Sequence, residues 1–270
     1  MAAKIVLVGC GNMGYAMLAG WLSSGKLAAN EAIVVEPTDT LRERAATLGV
    51  TALPDAGAIP ADAAPRLVVF AVKPQVILNV VPAYARFKAS ATYVSVAAGT
   101  PISAFEGALG ADAGIIRCMP NTPAAIGKGM MVVVANDNVG ADTSDFVRDL
   151  LSASGEVAAI GDEGLMDAVT AVSGSGPAYV FHFIECLTAA GEKAGLPVET
   201  AKLLAMQTVY GAAALAAESR EEPGTLRQQV TSPNGTTAAA LSVLMGDDRL
   251  KMLMTEAVEA ARARSVELGK

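Results

Sequence analysis

The sequence holds few of the side chains that acid–base or metal chemistry requires. Its 270 residues include one histidine, His182, and three cysteines, Cys10, Cys118 and Cys186. The cysteines lack the spacing of a metal site, so we expect buried apolar thiols. His182 stands between two phenylalanines, which favours a core or interface histidine over a catalytic one. We therefore predict no metal and no Ser–His–Asp set, and we favour a redox reaction that needs little acid–base help.

Charged residues and long apolar runs are scarce as well. Charged residues make up 17% and hydrophobic residues 52%, with a net charge of −7, so we expect a large core and further apolar area buried between subunits. Without a basic stripe to neutralise phosphates, nucleic acid is not a predicted partner. No run approaches the roughly 18 to 20 apolar residues that span a bilayer, and the N-terminus lacks a signal-peptide pattern. We predict a cytoplasmic protein with no membrane partner.

What the sequence does contain is a glycine motif directly after a strand-like run. Residues 4–8 are mostly apolar, Gly9, Gly11 and Gly14 follow as G-x-G-x-x-G, and residues 15–22 have the composition of a helix. The glycines alone are a weak indication, since they also suit a simple tight turn, but the strand–turn–helix context favours a dinucleotide site. There the glycines allow a tight turn and a close approach to the pyrophosphate at the helix N-terminus.

The rest of the first half alternates strand-like and helix-like runs. Strand-like runs occupy residues 32–36, 66–72, 92–96, 114–119 and 130–135, with a weaker one at 49–53. This alternation predicts an α/β fold with an N-terminal Rossmann-type, doubly wound, mostly parallel sheet. We assign this dinucleotide-binding domain to residues 1–160.

Several residues at the predicted carboxyl ends of the strands are candidates for cofactor binding. Glu36 lies 22 residues after Gly14, where an acid accepts hydrogen bonds from the adenosine ribose. Arg42 and Arg44 have two interpretations, contact with a 2′-phosphate or ordinary solvated helix charges, and the second is favoured. Lys73 has the same two alternatives, cofactor contact or exposure to solvent. The predicted cofactor-binding set is Gly9, Gly11, Asn12, Met13, Gly14, Glu36, Pro37, Thr38, Ala71, Val72, Lys73, Pro74, Ala97 and Ala98.

Beyond about residue 160 the pattern becomes helical. Alanine, leucine and methionine at helical spacing predict helices over residues 162–172, 178–195, 198–219, 225–230, 236–245 and 249–267, with a break at 173–177. We assign this all-helical domain to residues 161–270. The helices are apolar around much of their circumference, which predicts packing against a partner subunit.

The hydroxyl-rich segment TSPNGTT, residues 231–237, precedes one of these helices. Hydroxyl groups and free backbone N–H groups at a helix N-terminus suit a carboxylate. An ordinary N-cap remains the alternative, although it needs only one serine or threonine. We favour an anion site.

Together these motifs resemble those of the Δ1-pyrroline-5-carboxylate reductase family. The matching segments are GCGNMG at 9–14, AVKP at 71–74, AAG at 97–99, RCMPNTP at 117–123, AVSGSGPAY at 171–179 and TSPNGTT at 231–237. The resemblance implies a Rossmann domain followed by a helical dimerisation domain. It also implies homodimers, sometimes assembled as five dimers in a decamer.

The implied reaction is hydride transfer from NAD(P)H to the C=N carbon of 1-pyrroline-5-carboxylate, the last step of proline biosynthesis. The resemblance implies a substrate site completed at the dimer interface. Our hypothesis is that Thr237 is the catalytic hydroxyl, which faces the ring nitrogen and steadies or donates its proton. The implied substrate-binding residues are Ser232, Asn234, Gly235, Thr236 and Thr237. The family expectation is NADPH, but a carboxylate at Glu36 weakens it, and we expect measurable use of NADH.

One residue departs from the family pattern, and two other functions stay open. Asn234 stands where the family usually has glycine; asparagine tolerates a left-handed conformation, so we expect the loop to be kept. The nearest alternative is a related imine or β-hydroxyacid reductase; the latter needs a catalytic lysine, for which Lys193 and Lys202 are the candidates. The other is a non-catalytic dinucleotide-binding sensor, which would not need a second anion site.

Overall fold

The computed structural model describes residues 3–269; Met1, Ala2 and Lys270 lie outside this range. The chain forms two compact units. One runs through Ser175 and resumes at Ala261, and the other is Gly176–Ala260. The assignment of domains at residue 160 stays a prediction.

The first unit is built on one sheet of eight strands. They are β1 (Ile5–Val8), β2 (Ala32–Val35), β3 (Thr51–Leu53), β4 (Leu67–Phe70), β5 (Thr92–Ser95), β6 (Ile115–Met119), β7 (Gly129–Ala135) and β8 (Gly155–Ala159). Their spatial order is β3-β2-β1-β4-β5-β6-β7-β8. Neighbours are parallel except β6 and β7, which are antiparallel. The predicted mostly parallel, doubly wound sheet is confirmed.

Within the described residues, the first five helices lie between strands along the chain, and the remaining six follow the last strand. The helices are α1 (Asn12–Ser23), α2 (Asp39–Ala46), α3 (Pro74–Val80), α4 (Ile102–Leu109), α5 (Ala141–Leu151), α6 (Met166–Val169), α7 (Gly176–Lys193), α8 (Val198–Ser219), α9 (Pro223–Gln229), α10 (Thr236–Met245) and α11 (Arg249–Leu268). Short 3₁₀ turns lie at Ala29–Glu31, Ala56–Ala58, Val81–Phe87, Thr122–Ile126, Ser152–Ser154, Glu163–Leu165 and Gly246–Asp248. None of the helices among residues 3–269 is long and apolar enough to cross a membrane.

Alternation along the strands builds a core on each face of the sheet. In β1, Ile5 and Leu7 face one side, where they join Trp21 of α1. Val6 and Val8 face the other side, with side chains from α3 and α4. All four residues of β1 are buried, and each fully buried Val, Leu or Ile contributes about 1.5–3 kcal/mol. Burial on both faces explains why the strand sequence is continuously apolar.

Two elements differ from those predicted. The strand β8 was not predicted, because its GEVAA sequence is short, carries a charge and is only partly buried at the sheet edge. The single helix predicted over 162–172 is wrong: the structure has the Glu163–Leu165 turn, then α6, then a π-helical turn at Thr170–Gly174. All three share a helical pattern of side chains, so spacing alone does not distinguish their hydrogen bonds.

The second unit leaves most of its apolar side chains uncovered. Of residues 176–260, Ala201 and Ala205 are the only buried hydrophobic residues. Small residues bring α7 and α8 together, since a Cβ on Gly191 would lie 3.3 Å from the Ala201 Cβ. Large apolar residues remain open to solvent, with Leu203 exposed at 68% and Tyr210 at 67%. Soluble monomers rarely expose apolar patches on this scale.

Candidate functional site

The carboxyl ends of β1 and β4 open onto a pocket of about 630 Å³. β1 lies between β2 and β4, so the order of strands reverses at this point. Open parallel sheets bind ligands in the crevice at such a point. The pocket brings together eight of the predicted cofactor-binding residues: Gly9, Gly11, Glu36, Pro37, Thr38, Ala71, Val72 and Lys73.

The three glycines of the motif have distinct roles. Gly9 has φ +88°, and a Cβ there would lie 2.8 Å from Val72 Cγ1. A Cβ on Gly14 would lie 2.3 Å from the Gly9 carbonyl oxygen, so α1 packs tightly on the turn. A Cβ on Gly11 would meet nothing within 4 Å. The open side of Gly11 lets a phosphate approach the backbone at the start of α1, so these residues fit a dinucleotide.

The carboxylate of Glu36 is buried and ties the end of β2 to the glycine turn. It is 5% exposed. Its Oε2 accepts a hydrogen bond from the Cys10 backbone N–H at 2.8 Å, and its Oε1 accepts one from the Thr38 N–H at 2.9 Å. Both oxygens are therefore held by the protein backbone at the position where the ribose is expected.

Arg44 binds the backbone of the glycine turn. Its Nη2 donates to the carbonyl oxygens of Cys10 at 3.0 Å and Gly11 at 3.1 Å. Its guanidinium lies 4.2 Å from the centre of the Tyr15 ring, a distance at which cation and ring attract. The favoured interpretation of Arg44 as an ordinary solvated charge is wrong, because its guanidinium binds the carbonyl oxygens of the glycine turn.

Arg42 is engaged in a second set of contacts. Its Nη1 donates to the carbonyl oxygens of Glu36 at 3.0 Å and Pro37 at 3.1 Å. Its Nη2 pairs with the Asp39 carboxylate at 2.5 Å. The favoured interpretation of a solvated charge is wrong here too, because Arg42 holds the turn between β2 and α2 in place.

The remaining predicted cofactor residues lie outside this pocket. Asn12 and Met13 line a separate pocket of about 1150 Å³ beside α1. Pro74 and Ala98 line a third, of about 390 Å³, between the loops after β4 and β5. Ala97 is buried, and its N–H donates to the Ser95 hydroxyl at 3.2 Å. These residues follow the carboxyl ends of the strands but do not share one cavity.

The thiols divide into two kinds. Burial raises the pKa of Cys10 to about 11; Arg44 opposes that shift and Glu36 adds to it. Burial also raises the pKa of Cys118 to about 12. Cys186 is exposed in the chain, so the prediction of three buried thiols is wrong at this position. It lies on α7, whose 18 residues include none that are buried.

His182, also on α7, is exposed in the chain. Its Nδ1 lies 3.0 Å from a Glu185 carboxylate oxygen, and its side chain is 75% exposed. The prediction of a core histidine is therefore wrong, and an interface histidine stays a prediction. The flanking phenylalanines, whose apolar character predicted burial, are themselves exposed.

One contact at the carboxyl edge of the sheet was missed by the sequence analysis. Asn121, after β6, donates from Nδ2 to the Ser173 carbonyl oxygen at 3.2 Å. Its Oδ1 accepts from the Met130 N–H at 2.9 Å. Asn121 and Ser173 belong to two of the segments that carry the family resemblance, but their spacing of 52 residues gave no sign of the contact.

The hydroxyl-rich segment of the second unit forms a tight turn that leads into α10. Asn234 has φ +56°, the left-handed conformation. Asparagine therefore keeps the turn at the position where the family usually has glycine. The Gly235 N–H donates to the Ser232 carbonyl oxygen at 3.1 Å, and a Cβ on Gly235 would lie 2.4 Å from Ser232 Oγ. Thr236 and Thr237 begin α10, and no side chain caps the helix. The first N–H groups of a helix have no partner within the helix, so this terminus has the donors that an anion site requires.

Two family models match the chain. Residues 163–268 match the model described as pyrroline-5-carboxylate reductase dimerisation. Residues 4–99 match the model described as NADP oxidoreductase, coenzyme F420-dependent. The chain is 40% identical over 268 residues to the pyrroline-5-carboxylate reductase of Pseudomonas aeruginosa. The aligned region covers 99% of this chain and 97% of that relative.

The chain belongs to the pyrroline-5-carboxylate reductase family. The Synechocystis family member is 40% identical over 273 residues, with 100% of both chains covered. The solved reductase of Coxiella burnetii has a TM-score of 0.93 at 34% identity over 100% of both chains. That of Plasmodium falciparum, described with NADP bound, has a TM-score of 0.84 at 30% identity, covering 99% of this chain and 98% of that one. The predicted family is confirmed, and with it an oxidoreductase that uses NAD(P)H.

Proposed function

We propose that this chain reduces 1-pyrroline-5-carboxylate to L-proline, the last step of proline biosynthesis, and that residues 231–237 bind the substrate. The observation that carries the proposal is the full-length identity of 40% to the Pseudomonas aeruginosa enzyme of that name. The structure adds support, since a dinucleotide pocket and an uncapped helix terminus with hydroxyl groups occur in the same chain.

The reaction adds one hydride to the C=N carbon and leaves one proton on nitrogen. When bound, the reduced nicotinamide supplies the hydride. A protonated iminium is already a strong electrophile, so the protein's task is mainly to orient the reactants. We assign dinucleotide binding to the predicted set, in which Gly11 and the start of α1 hold the pyrophosphate.

The N-terminus of α10 is assigned to the substrate. Its backbone N–H groups at Thr236 and Thr237 and the nearby Ser232 hydroxyl suit the carboxylate. Asn234 and Gly235 shape the turn that presents them, because one adopts a left-handed conformation and the other has no room for a side chain. The Thr237 hydroxyl is assigned to the ring nitrogen, where it steadies the iminium proton or donates it.

We propose a homodimer as the functional unit. Residues 163–268 match a dimerisation model, and large apolar side chains such as Leu203 and Tyr210 are uncovered in the single chain. A decamer of five dimers is the larger assembly to consider. Light scattering coupled to gel filtration measures the mass directly: a monomer at micromolar concentration would contradict the dimer. A cytoplasmic location belongs to the same proposal, and fractionation of cells producing the protein tests it.

Turnover tests the reaction. Oxidation of NADH or NADPH is followed with 1-pyrroline-5-carboxylate, and the reverse reaction is followed with L-proline at high pH. Turnover with either cofactor is the expected result. Its absence with both, in protein that binds the cofactors, would favour a non-catalytic sensor.

The β-hydroxyacid alternative finds little support. Lys202 is exposed and pairs with Glu199 at 2.9 Å, and this hydrogen bond raises its pKa. A lysine that acts as a general base needs the opposite shift. Turnover of β-hydroxyacids, lost on Lys202→Met or Lys193→Met, would revive this alternative.

A further inference from the structure

We propose that this enzyme prefers NADH to NADPH, because Glu36 places a carboxylate beside the expected position of the 2′-phosphate of NADPH and Asp39 holds the nearby Arg42 in an ion pair. The inference deepens the proposed function and rests on it for the identity of the cofactor.

Glu36 lies in the dinucleotide pocket, directly after the end of β2. An acid at the end of the second strand is placed to receive the 2′-hydroxyl of the adenosine ribose. NADPH carries a phosphate on that oxygen, which adds roughly two negative charges at neutral pH. Glu36 lines the pocket directly after β2, together with Pro37 and Thr38. The added phosphate would therefore come close to a carboxylate.

The Glu36 carboxylate is fixed in its position by the backbone. Both of its oxygens accept backbone hydrogen bonds, from Cys10 at 2.8 Å and Thr38 at 2.9 Å, and the residue is buried. Rotating the side chain away would leave these N–H groups without a partner, which is unfavourable in a buried site. The same bonds use the Thr38 N–H, a donor that would otherwise suit a phosphate at the start of α2.

The two arginines near Glu36 are both bound to other groups of the protein. Arg42 is bound to the carbonyl oxygens of Glu36 and Pro37 and paired with Asp39. Asp39 lies in the first turn of α2, where its charge offsets the positive end of the helix dipole. Arg44 is directed to the glycine turn instead.

Among the described residues that line the pocket, Lys73 is the remaining cation. It follows β4, which lies on the opposite side of β1 from β2, so it is not placed beside the end of β2. Asp55, which does line the pocket after β3, adds a further carboxylate. The charges around the ribose end of the pocket are thus acidic or already neutralised.

The experiment measures NADH and NADPH separately, by fluorescence titration of the full-length protein and by kcat/KM with 1-pyrroline-5-carboxylate. We expect NADH to bind tighter by about tenfold or more at low salt, with the ratio shrinking as salt screens the repulsion. Equal affinity, or tighter NADPH binding, would overturn the proposal. The titration measures cofactor affinity without turnover. A failure of the proposed reaction would therefore leave the comparison of NADH and NADPH affinity intact.

Variants identify the residues. Asp39→Asn removes a carboxylate that is 79% exposed and frees the Nη2 of Arg42 from its ion pair, so the NADPH-to-NADH ratio of kcat/KM should rise several-fold. Asp149→Asn is the matched control, since it breaks another exposed ion pair, to Lys26 at 2.5 Å, and should leave the ratio as in wild type. Arg42→Ala distinguishes the roles. A selective loss of NADPH binding would show that Arg42 already serves the phosphate, which contradicts the proposal.

Discussion

Asn121 and Ser173 join the carboxyl end of β6 to the π-helical turn Thr170–Gly174. The Asn121 amide donates to the Ser173 carbonyl oxygen at 3.2 Å and accepts from the Met130 N–H at 2.9 Å. Single π turns within helices are frequent at functional sites. This turn precedes α7 and lies in a segment that carries the family resemblance, so the amide positions backbone close to the edge where the sheet binds ligands.

Asn121→Ala should lower both stability and turnover. It leaves the Met130 N–H and the Ser173 carbonyl without their partner, a loss of about 1–3 kcal/mol. The cofactor pocket does not include Asn121, so NADH affinity should change little while kcat falls. Thermal melts, NADH titration and kcat together measure these effects.

Asn138→Ala is the control for this variant. Its side chain likewise binds backbone groups, by donating to the carbonyl oxygens of Ala111 and Ala113, but it lies at the amino end of β6. It should reduce stability without a selective effect on kcat. If both variants lower kcat equally, the positioning role of Asn121 is wrong.

Two glycines of the motif should respond differently to alanine. Gly14→Ala places a Cβ 2.3 Å from the Gly9 carbonyl oxygen, so the turn must distort and the melting temperature should fall.

Gly11 has a φ of −64°, and the Cβ added by Gly11→Ala would meet no atom within 4 Å, so the fold should be kept. The added methyl still occupies the open side where the pyrophosphate approaches. We expect NADH and NADPH affinity to fall together, by about tenfold or more, at unchanged melting temperature. Tight binding by Gly11→Ala would place the pyrophosphate elsewhere.

Most of the sheet could be predicted because strand residues such as Ile5 to Val8 are buried on both faces and so are continuously apolar. The glycines and Glu36 were found because their spacing reflects a turn and a strand end that this fold requires. β8 was missed because an edge strand with half-buried side chains lacks that signal.

The roles of Arg42 and Arg44 could not be predicted. Their helical spacing is that of solvated charges, and only the path of the chain brings Arg44 to carbonyl groups 33 and 34 residues away. The exposure of His182 and Cys186 has a similar origin. Apolar neighbours predict burial, but in the single chain none of the 18 residues of α7 is buried.

Stability should fall in alkaline solution. Cys10 has a pKa of about 11 in the folded chain against an ordinary value of 9.0. Between these pH values the unfolded chain has lost a proton that the folded chain keeps, so unfolding is favoured as pH rises. The stabilisation is complete below about pH 9 and is lost as pH rises through 11, by about 1.4 kcal/mol for each unit of difference. Burial also raises the pKa of Tyr93, to about 12, which acts in the same direction.

Melting temperatures from pH 7 to pH 11 measure this dependence. Cys10→Ala should flatten the decline, because it removes one of the groups responsible. Cys186→Ala is the control, since this thiol is exposed and its removal should leave the slope as in wild type. Identical slopes for wild type and Cys10→Ala would show that the Cys10 thiol does not contribute.

The last prediction concerns Thr237 at the start of α10. Thr237→Val keeps the shape of the side chain and removes the hydroxyl assigned to the ring nitrogen, so kcat/KM should fall by about a hundredfold or more. NADH affinity, measured by titration, should remain as in wild type, because the dinucleotide pocket lies in the first unit. Thr237→Ser restores a hydroxyl and should recover much of the rate.

Thr255→Val is the matched control. It removes a hydroxyl that donates to the Lys251 carbonyl oxygen within α11, and it should retain full activity. Unchanged turnover by Thr237→Val would exclude a role for this hydroxyl in the reaction and leave the backbone N–H groups of α10 as the substrate's principal contact.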